Sequence, residues 1–323
     1  MKTRLTELLG IEHPVMLAGM GGVSYHALCA AVSAAGGYGC LGASTMGHEQ
    51  LAAEIADTRG LTALPFGVDL LTAVPDQLVR GVEILIEGGA SAFVAGLGVP
   101  RAVIDLCHSH DVLVFSMCGK VDHARAARDA GCDAVIAQGT EAGGHTGAVA
   151  TFPLVPQVVD AMDGSIVVVA AGGVFDGRGL AAALALGADG VWVGTRFIAT
   201  PEARSVAGFK EGILASREDS TTISRAYTGK TMRVLRNDTT DRYDADPGSL
   251  KKFPEQLVVA LADGSFHLGG DESTEGVDPR REAYPAGQAV GAIESLIPAG
   301  DIVRTMVDDA TRIIAGLAST SRA

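Results

Sequence analysis

The sequence is poor in aromatic residues: it has one tryptophan among 323 residues, and Phe, Trp and Tyr together make up 5% of it. Its core must therefore be filled largely by small and branched aliphatic side chains. Apolar residues make up 47% of the chain and charged residues only 20%, and there are 42 glycines. This composition is typical of α/β enzymes in which strands and helices pack closely, and it argues against disorder over most of the chain.

Cysteines, cations and long apolar runs are also scarce. The five cysteines are odd in number and show no C-x-x-C spacing, so we expect a reducing cytosol and neither a disulfide framework nor a zinc site. The formal net charge of -13 argues against nucleic-acid and anionic-membrane partners. No run is long and uncharged enough to span a bilayer, and no signal-peptide core begins the chain. We therefore expect a soluble, cytoplasmic protein that acts on a small molecule.

Apolar runs alternate regularly with helix-like stretches. The predicted strands cover residues 15–18, 38–43, 66–71, 91–95, 112–117, 133–137, 166–171 and 190–193. The predicted helices between them cover 25–35, 48–57, 76–87, 101–108, 123–130, 155–162 and 179–186. Eight β-α units predict an all-parallel sheet closed into a (β/α)8 TIM-type barrel, in preference to an open doubly wound sheet.

The pattern changes after the eighth predicted strand, which suggests three parts. Residues 1–216 form the predicted barrel, and residues 217–287, rich in Asp, Thr, Gly, Pro and Arg, form a predicted inserted lid or cap with a helix at 253–262. Residues 288–323 are predicted to pack back on the barrel through an amphipathic helix at 301–317.

The glycine-rich stretch at 137–147 follows the sixth predicted strand and carries His145. Glycine lets a ligand approach the backbone, and a histidine can exchange a proton near neutral pH. His145 is therefore the predicted proton-transfer residue. Glu141, four residues earlier, either orients His145 or is solvated or capping the next helix.

Two further glycine-rich segments follow the seventh and eighth predicted strands. Ala171, Gly172 and Gly173 form one, and Gly194 and Thr195 open the other. In TIM barrels these two loops commonly bind a phosphate. Tight-turn geometry is the alternative for either segment alone, but the two together favour a phosphate site. The arginines nearby, at 178 and 196, are expected to be structural.

Six motifs together resemble the nitronate monooxygenase family, once called 2-nitropropane dioxygenases. They are H-P-V-M at 13–16, G-M-G at 19–21, P-F-G-V at 65–68, E-A-G-G-H-T-G at 141–147, A-A-G-G-V-F-D-G-R-G at 170–179 and A-L-G-A-D-G-V-W-V-G-T-R-F at 185–197. The flavin-dependent enoyl-acyl-carrier-protein reductases belong to the same superfamily. The likeness covers most of residues 1–200 and continues more faintly to 287–288.

The resemblance implies an FMN-binding barrel with His145 as the catalytic histidine. The residues it places around FMN are Gly19, Met20, Gly21, Asp69, Gln138, Gly143, Gly144, Ala171, Gly172, Gly173, Gly194 and Thr195. It implies oxidation of alkyl nitronates or nitroalkanes with O2. The alternative is an NAD(P)H-dependent reductase of an enoyl thioester carried by CoA or a carrier protein. Whether the protein forms a homodimer is left open by the sequence. Asp69, Met117 and Gln138 differ from the Asn, Lys and Asp found in relatives.

The segment 225–236 carries four cations in an acidic chain. They form either a solvated lid face or a mouth that attracts a ligand bearing phosphate, such as NAD(P)H or a thioester of CoA or a carrier protein. Cys118 follows the fifth predicted strand, and we expect a buried, inert thiol. The histidines in or beside predicted helices are expected to be structural or at the surface.

Overall fold

Eight short apolar runs form the parallel strands of the central sheet. The computed structural model describes residues 1–71, 75–96 and 98–320. The eight strands are β1 (Val15–Leu17), β2 (Gly39–Gly42), β3 (Phe66–Leu70), β4 (Ala92–Ala95), β5 (Leu113–Cys118), β6 (Ala134–Gln138), β8 (Val167–Ala171) and β9 (Gly190–Val193). Each lies on one of the eight predicted strands, because a strand buried on both faces is a continuous apolar run in the sequence.

The strand order is β1-β9-β8-β6-β5-β4-β3-β2. Tyr38, just before β2, then bridges the two ends of the sheet: its backbone N–H donates to the Val15 carbonyl at 2.9 Å, and its carbonyl accepts from the Leu17 N–H at 2.9 Å. The sheet is thereby closed, and the predicted (β/α)8 TIM-type barrel is confirmed.

Helices precede, separate and follow these strands. They are α1 (Arg4–Leu9), α2 (His26–Ala34), α3 (His48–Leu61), α4 (Pro75–Glu87), α5 (Arg101–His108), α6 (Val121–Ala130), α7 (Thr151–Met162), α8 (Gly177–Ala185), α9 (Thr195–Ile198), α10 (Phe209–Leu214), α11 (Asp238–Ala245), α12 (Glu255–Ala262) and α13 (Ala299–Thr320). Short 3-10 turns cover Ala43–Thr45, Pro247–Ser249 and Gln288–Ala292. Among the described residues, no helix combines the length and apolar character needed to cross a membrane.

Helix α7 begins four residues before its predicted start. Pro153 lies just before the predicted start at residue 155, and Pro156 lies inside the predicted helix. Pro153 lies in the first turn of the helix, where a backbone N–H has no intrahelical acceptor and its loss costs little. The helix also continues through Pro156, which lies in its interior.

The core has an inner and an outer layer. The inner cluster fills the barrel with side chains from different strands, including Met16, Val94, Phe115, Ile136 and Trp192. The outer cluster lies between the strands and the helices. Small and branched side chains dominate both layers, as the composition predicted.

Residues 217–287 pair with the barrel through a second sheet. Strands β10 (Thr221–Ser224) and β11 (Met232–Leu235) are antiparallel, and the two-residue strand β7 (Gly144–His145) adds to β11 with Met232 opposite His145. The segment predicted as an insertion is thus hydrogen-bonded to the loop that carries the predicted catalytic histidine. Of the predicted C-terminal segment, residues 321–323 lie outside the described residues.

Candidate active site

Two turns with unpaired backbone N–H groups lie at the carboxyl ends of β8 and β9, which are neighbours in the barrel. Gly172 and Gly173 follow β8 with φ of 98° and 77°, and Gly194 and Thr195 follow β9. The backbone N–H groups of these four residues find no acceptor within the described part of the chain. Such groups at strand ends are suited to binding a phosphate.

In the turn after β8, an added side chain would clash at Gly172 but not at Gly173. A Cβ atom on Gly172 would lie 2.8 Å from Thr151 Oγ1 and 3.0 Å from the Gly139 carbonyl oxygen, too close to fit. At Gly173 the nearest atom would be Glu141 Cβ, at 3.5 Å. Buried Ala171, the last residue of β8, accepts from the Gly139 N–H at 2.9 Å. This backbone cradle fits the phosphate of the FMN that the resemblance implies.

The loop after β1 meets the ends of β3 and β9. A Cβ on Gly19 would lie 2.9 Å from Asp69 Oδ2, and one on Gly194 would lie 3.3 Å from Met20 Sδ. Gly21 packs closely against Ser44. The fold therefore brings together three loops that are far apart in the sequence.

Asp69 is the acidic group of this region. Burial raises the pKa of its carboxyl well above the usual range. The carboxyl keeps its proton to a higher pH than an exposed aspartate, so it can donate a hydrogen bond much as an asparagine amide does. This reduces the electrostatic penalty that an ionised aspartate would impose on a nearby anion.

His145 lies on β7 beside the cradle and contacts a buried threonine. Its Nε2 is 3.0 Å from Oγ1 of Thr228, which is only 4% exposed. Thr228 Oγ1 also accepts from the Lys230 N–H at 3.2 Å and is 3.3 Å from the Lys230 carbonyl oxygen. His145 keeps a solvent-exposed surface, but desolvation by the surrounding protein atoms and, to a smaller extent, the positive charge of Lys230 lower its pKa. The imidazole is therefore neutral at neutral pH and can act as a base.

Backbone contacts hold the His145 loop in place. The Gln138 side-chain amide, at the end of β6, donates to the His145 carbonyl at 2.8 Å. A Cβ on Gly143 would lie 2.7 Å from the Ala286 carbonyl carbon, so this glycine is needed for the close approach of residues 286–288. Gly144 has a φ of 74°. The Gly287 N–H in turn donates to Thr195 Oγ1 at 2.9 Å, which links these residues to the β9 turn.

Glu141 caps helix α7. Its Oε2 accepts from both the backbone N–H and the hydroxyl of Thr151 at 2.7 Å. The capping interpretation is therefore confirmed over a role in orienting His145. Because the carboxylate is bound at a helix N-terminus, its charge is compensated there rather than directed at the cradle.

The four cations of 225–236 have different environments. Arg233 is 6% exposed and donates to the Thr140 carbonyl and to Thr221 Oγ1 at 2.8 and 3.1 Å, so it joins the second sheet to the His145 loop. Arg236 pairs with Asp241 at 2.7 Å. Arg225 and Lys230 remain exposed. The segment is thus neither a uniformly solvated face nor a uniformly cationic mouth.

The remaining candidates have structural roles. Cys118 is buried, which raises the pKa of its thiol to about 12, as expected for an inert cysteine. Arg178 pairs with Asp176 at 2.6 Å, and Arg196 donates to two backbone carbonyls. His26 binds Glu54 at 2.8 Å on the outside of the barrel.

A model of a known protein family matches most of the chain. The family profile described as nitronate monooxygenase matches residues 2–309. The chain belongs to the nitronate monooxygenase family. It is therefore an enzyme of the flavin-dependent oxidoreductase type, since this family is known for flavin-dependent enzymes.

Proteins similar to this nitronate monooxygenase family member are named for different activities. It is 43% identical over 238 residues, covering 74% of this chain and 67% of the relative, to the (3aS,4S,5R,7aS)-5-hydroxy-7a-methyl-1-oxo-octahydro-1H-indene-4-carboxyl-CoA dehydrogenase of Rhodococcus jostii. FabK from Thermotoga maritima superposes with a TM-score of 0.87 at 34% identity, covering 99% of each chain. A nitroalkane oxidase from Streptomyces ansochromogenes superposes with a TM-score of 0.85 at 30% identity, covering 97% of this chain and 99% of that one.

The sequence did not indicate the threonine partner of His145. Thr228 lies in the segment that was singled out only for its cations. The alternation of apolar and polar residues on both sides of Gly229 is a weak hairpin signal, but nothing local indicates that the hairpin pairs with β7.

Proposed function

We propose that the protein is an FMN-dependent oxidoreductase in which His145 transfers the proton, oxidising alkyl nitronates or nitroalkanes with O2. The observation that carries the proposal is the set of four unpaired N–H groups at Gly172, Gly173, Gly194 and Thr195, with a neutral histidine on the adjoining loop. The backbone cradle would hold the FMN phosphate. The loop at 19–21, Asp69 and Gln138 would lie along the ring system.

The contacts of His145 favour one tautomer for a base. We assign the Nε2–H as the donor to Thr228 Oγ1, because the Thr228 hydroxyl has its own acceptor in the Lys230 carbonyl oxygen at 3.3 Å. Nδ1, which has no hydrogen-bond partner in the described residues, then carries the lone pair. In this arrangement Nδ1 removes the α-proton of a nitroalkane, and the electrons of the C–H bond move into the nitro group. Thr228 is a positioning residue.

FMN, when bound, would supply the two-electron redox chemistry that connects the substrate with O2. The protein contributes what a cofactor alone lacks: a base held in one tautomer, a cradle for the phosphate, and a buried Asp69 whose raised pKa favours the protonated, hydrogen-bond-donating form. A preformed nitronate has already lost its proton and does not need the base.

This difference provides the test. We expect His145→Ala to retain FMN and to lower turnover of neutral nitroethane by about 10²–10⁴-fold, the usual contribution of a general base, with little change for ethyl nitronate. Flavin absorbance gives the FMN content, and oxygen consumption gives the two rates. Equal losses with both substrates would remove His145 from proton transfer. A wild-type protein that binds no FMN would contradict the whole proposal.

The second candidate is an oxidoreductase acting on a thioester of CoA or a carrier protein, with NAD(P)H as reductant. The CoA dehydrogenase of R. jostii supports this alternative, as do the exposed cations beside His145. Anaerobic stopped-flow absorbance separates the two. Flavin bleaching by a nitronate alone supports the first candidate, whereas bleaching by NADPH or NADH followed by reoxidation with an enoyl thioester supports the second.

A further inference from the structure

Two contacting segments beside the His145 loop, 225–230 and 251–253, carry four exposed cations and an exposed aromatic ring. We call Arg225, Lys230, Lys251, Lys252 and Phe253 the Phe253 patch. The phenyl ring is 44% exposed, and Lys230 Nζ lies 4.0 Å from its centroid. None of the four cations has an ion-pair partner in residues 1–71, 75–96 and 98–320. The chain as a whole carries a net charge of -13, so unpaired cations gathered at one point need an explanation.

The patch is held together by backbone contacts around Gly229. The Arg225 Nε donates to the Gly229 carbonyl at 3.0 Å, and the Gly229 N–H donates to the Arg225 carbonyl at 2.9 Å. A Cβ on Gly229 would lie 2.6 Å from the Phe253 nitrogen and 3.0 Å from the Lys251 carbonyl oxygen. The segments 225–230 and 251–253 are therefore fixed relative to each other.

The patch is also fixed relative to the reacting centre. Thr228, between Arg225 and Lys230, contacts His145 Nε2 at 3.0 Å. Gln256, at 1% exposure, accepts from the Lys251 N–H at 2.9 Å and donates to the Ala226 carbonyl at 2.6 Å. Thr228 and Gln256 thus connect the segments that carry the cations to His145.

We propose that the Phe253 patch binds the phosphorylated adenosine of a nucleotide-bearing ligand whose reacting end lies at His145. Cations bind phosphates through charge-assisted hydrogen bonds, and an exposed aromatic ring can stack on a base. A small nitroalkane reaches none of these groups. CoA and NADPH share this chemistry and are the two sources to distinguish. The inference rests on the second candidate of the proposed function, a thioester or nicotinamide ligand, and takes His145 as the reacting centre.

Isothermal titration of the FMN-loaded protein with CoA, NADPH and pantetheine tests the patch. Pantetheine lacks both the phosphates and the adenosine. In Lys251→Gln/Lys252→Gln we expect CoA or NADPH to bind about tenfold more weakly, since each exposed charge contact contributes a factor of about five or less. Pantetheine binding should not change. Weaker binding of CoA alone identifies a thioester carrier, and weaker binding of NADPH identifies a nicotinamide site.

A charge-matched control separates local contacts from net charge. Lys2→Gln/Arg312→Gln removes two positive charges as well, near a surface recess lined by Lys2 and Thr311 rather than at the patch. It should bind both nucleotides as the wild type does. Phe253→Ala is a second variant, which we expect to weaken binding of the same nucleotide by loss of stacking.

Two outcomes overturn the inference. Either neither nucleotide binds the wild-type protein, or both bind the patch variant as tightly as they bind the control. FMN content and nitronate turnover of the same samples keep the two proposals apart. If flavin content and nitronate turnover are retained but nucleotide binding is unchanged in the patch variant, only the patch proposal is rejected. If the protein holds no flavin, the proposed function is contradicted, and nucleotide binding can still be measured.

Discussion

His145 and Lys230 together determine the protonation state of the site. Burial and the ammonium group of Lys230 lower the pKa of the imidazole. It therefore stays neutral to a lower pH than a free histidine. Below its pKa the imidazole is protonated and cannot accept a proton. The proposed base is therefore active from mildly acidic pH upward, and its activity falls as pH drops through the lowered pKa.

Lys230→Gln should raise the pKa of His145, because it removes a positive charge that disfavours the imidazolium. Burial is unchanged, so the value should stay below the ordinary 6.5. NMR titration of the imidazole Cε1–H, assigned by comparison with His145→Ala, measures it directly. The acidic limb of nitroethane turnover should move to higher pH in parallel. Lys230→Arg keeps the charge and should keep the wild-type value, and an unmoved pKa in Lys230→Gln would contradict the assignment.

Single residues show how far the sequence could be interpreted. The positions of His145, Gly172 and Gly194 could be predicted because strand ends in a barrel meet at one face. The raised pKa of Asp69 and the contact with Thr228 could not, since both depend on how distant loops pack. In the sequence, Asp69 stands out only as a departure from the Asn of relatives. The burial that raises the pKa of its carboxyl has no local sequence signal.

At the scale of elements, the N-terminus of α7 is where the site loop meets the barrel. Glu141→Ala removes the acceptor of the Thr151 N–H and hydroxyl, and we expect it to destabilise the protein by about 0.5–2 kcal/mol. Glu141→Gln keeps an acceptor oxygen and should cost less. Denaturant unfolding of the FMN-loaded variants measures both.

The same variants distinguish capping from a direct effect on the base. The pKa of His145 is set by burial and Lys230, not by Glu141, so neither variant should move its NMR titration. A shift in Glu141→Gln would instead show that the carboxylate acts on the histidine.

Regular elements were predicted well and the second sheet was not. Each barrel strand is a run of apolar residues that local periodicity detects. Strand β7 is only Gly144 and His145, and it exists because β11, far along the chain, supplies its partners. Long-range pairing of so short a strand leaves no local pattern. The composition of 217–287 predicted an inserted lid or cap, but it could not indicate the pairing with the His145 loop.

At the scale of the whole molecule, the C-terminal helix α13 packs against both α8 and α2. These two helices belong to the last and first units of the barrel, so α13 lies where the barrel closes. The approach is close at Gly177, the first residue of α8. A Cβ there would lie 2.7 Å from the Ala310 nitrogen and 2.7 Å from the Met306 carbonyl oxygen, both in the backbone of α13. Backbone atoms cannot rotate away as a side chain does, so α13 would have to shift.

A pair of Gly→Ala substitutions in helices tests this contact, because both replace a helical glycine but only one places the added Cβ against another helix. At Gly60, in α3, an added Cβ meets nothing within 4 Å, and alanine should stabilise the protein by about 0.5–1 kcal/mol. At Gly177 overpacking should outweigh that gain, with a net loss of about 1–3 kcal/mol. Denaturant unfolding of the FMN-loaded proteins should therefore give changes of opposite sign. A stabilised Gly177→Ala would mean that α13 is not held against α8 as closely as the structure shows, and that the barrel does not depend on its C-terminal helix at this point.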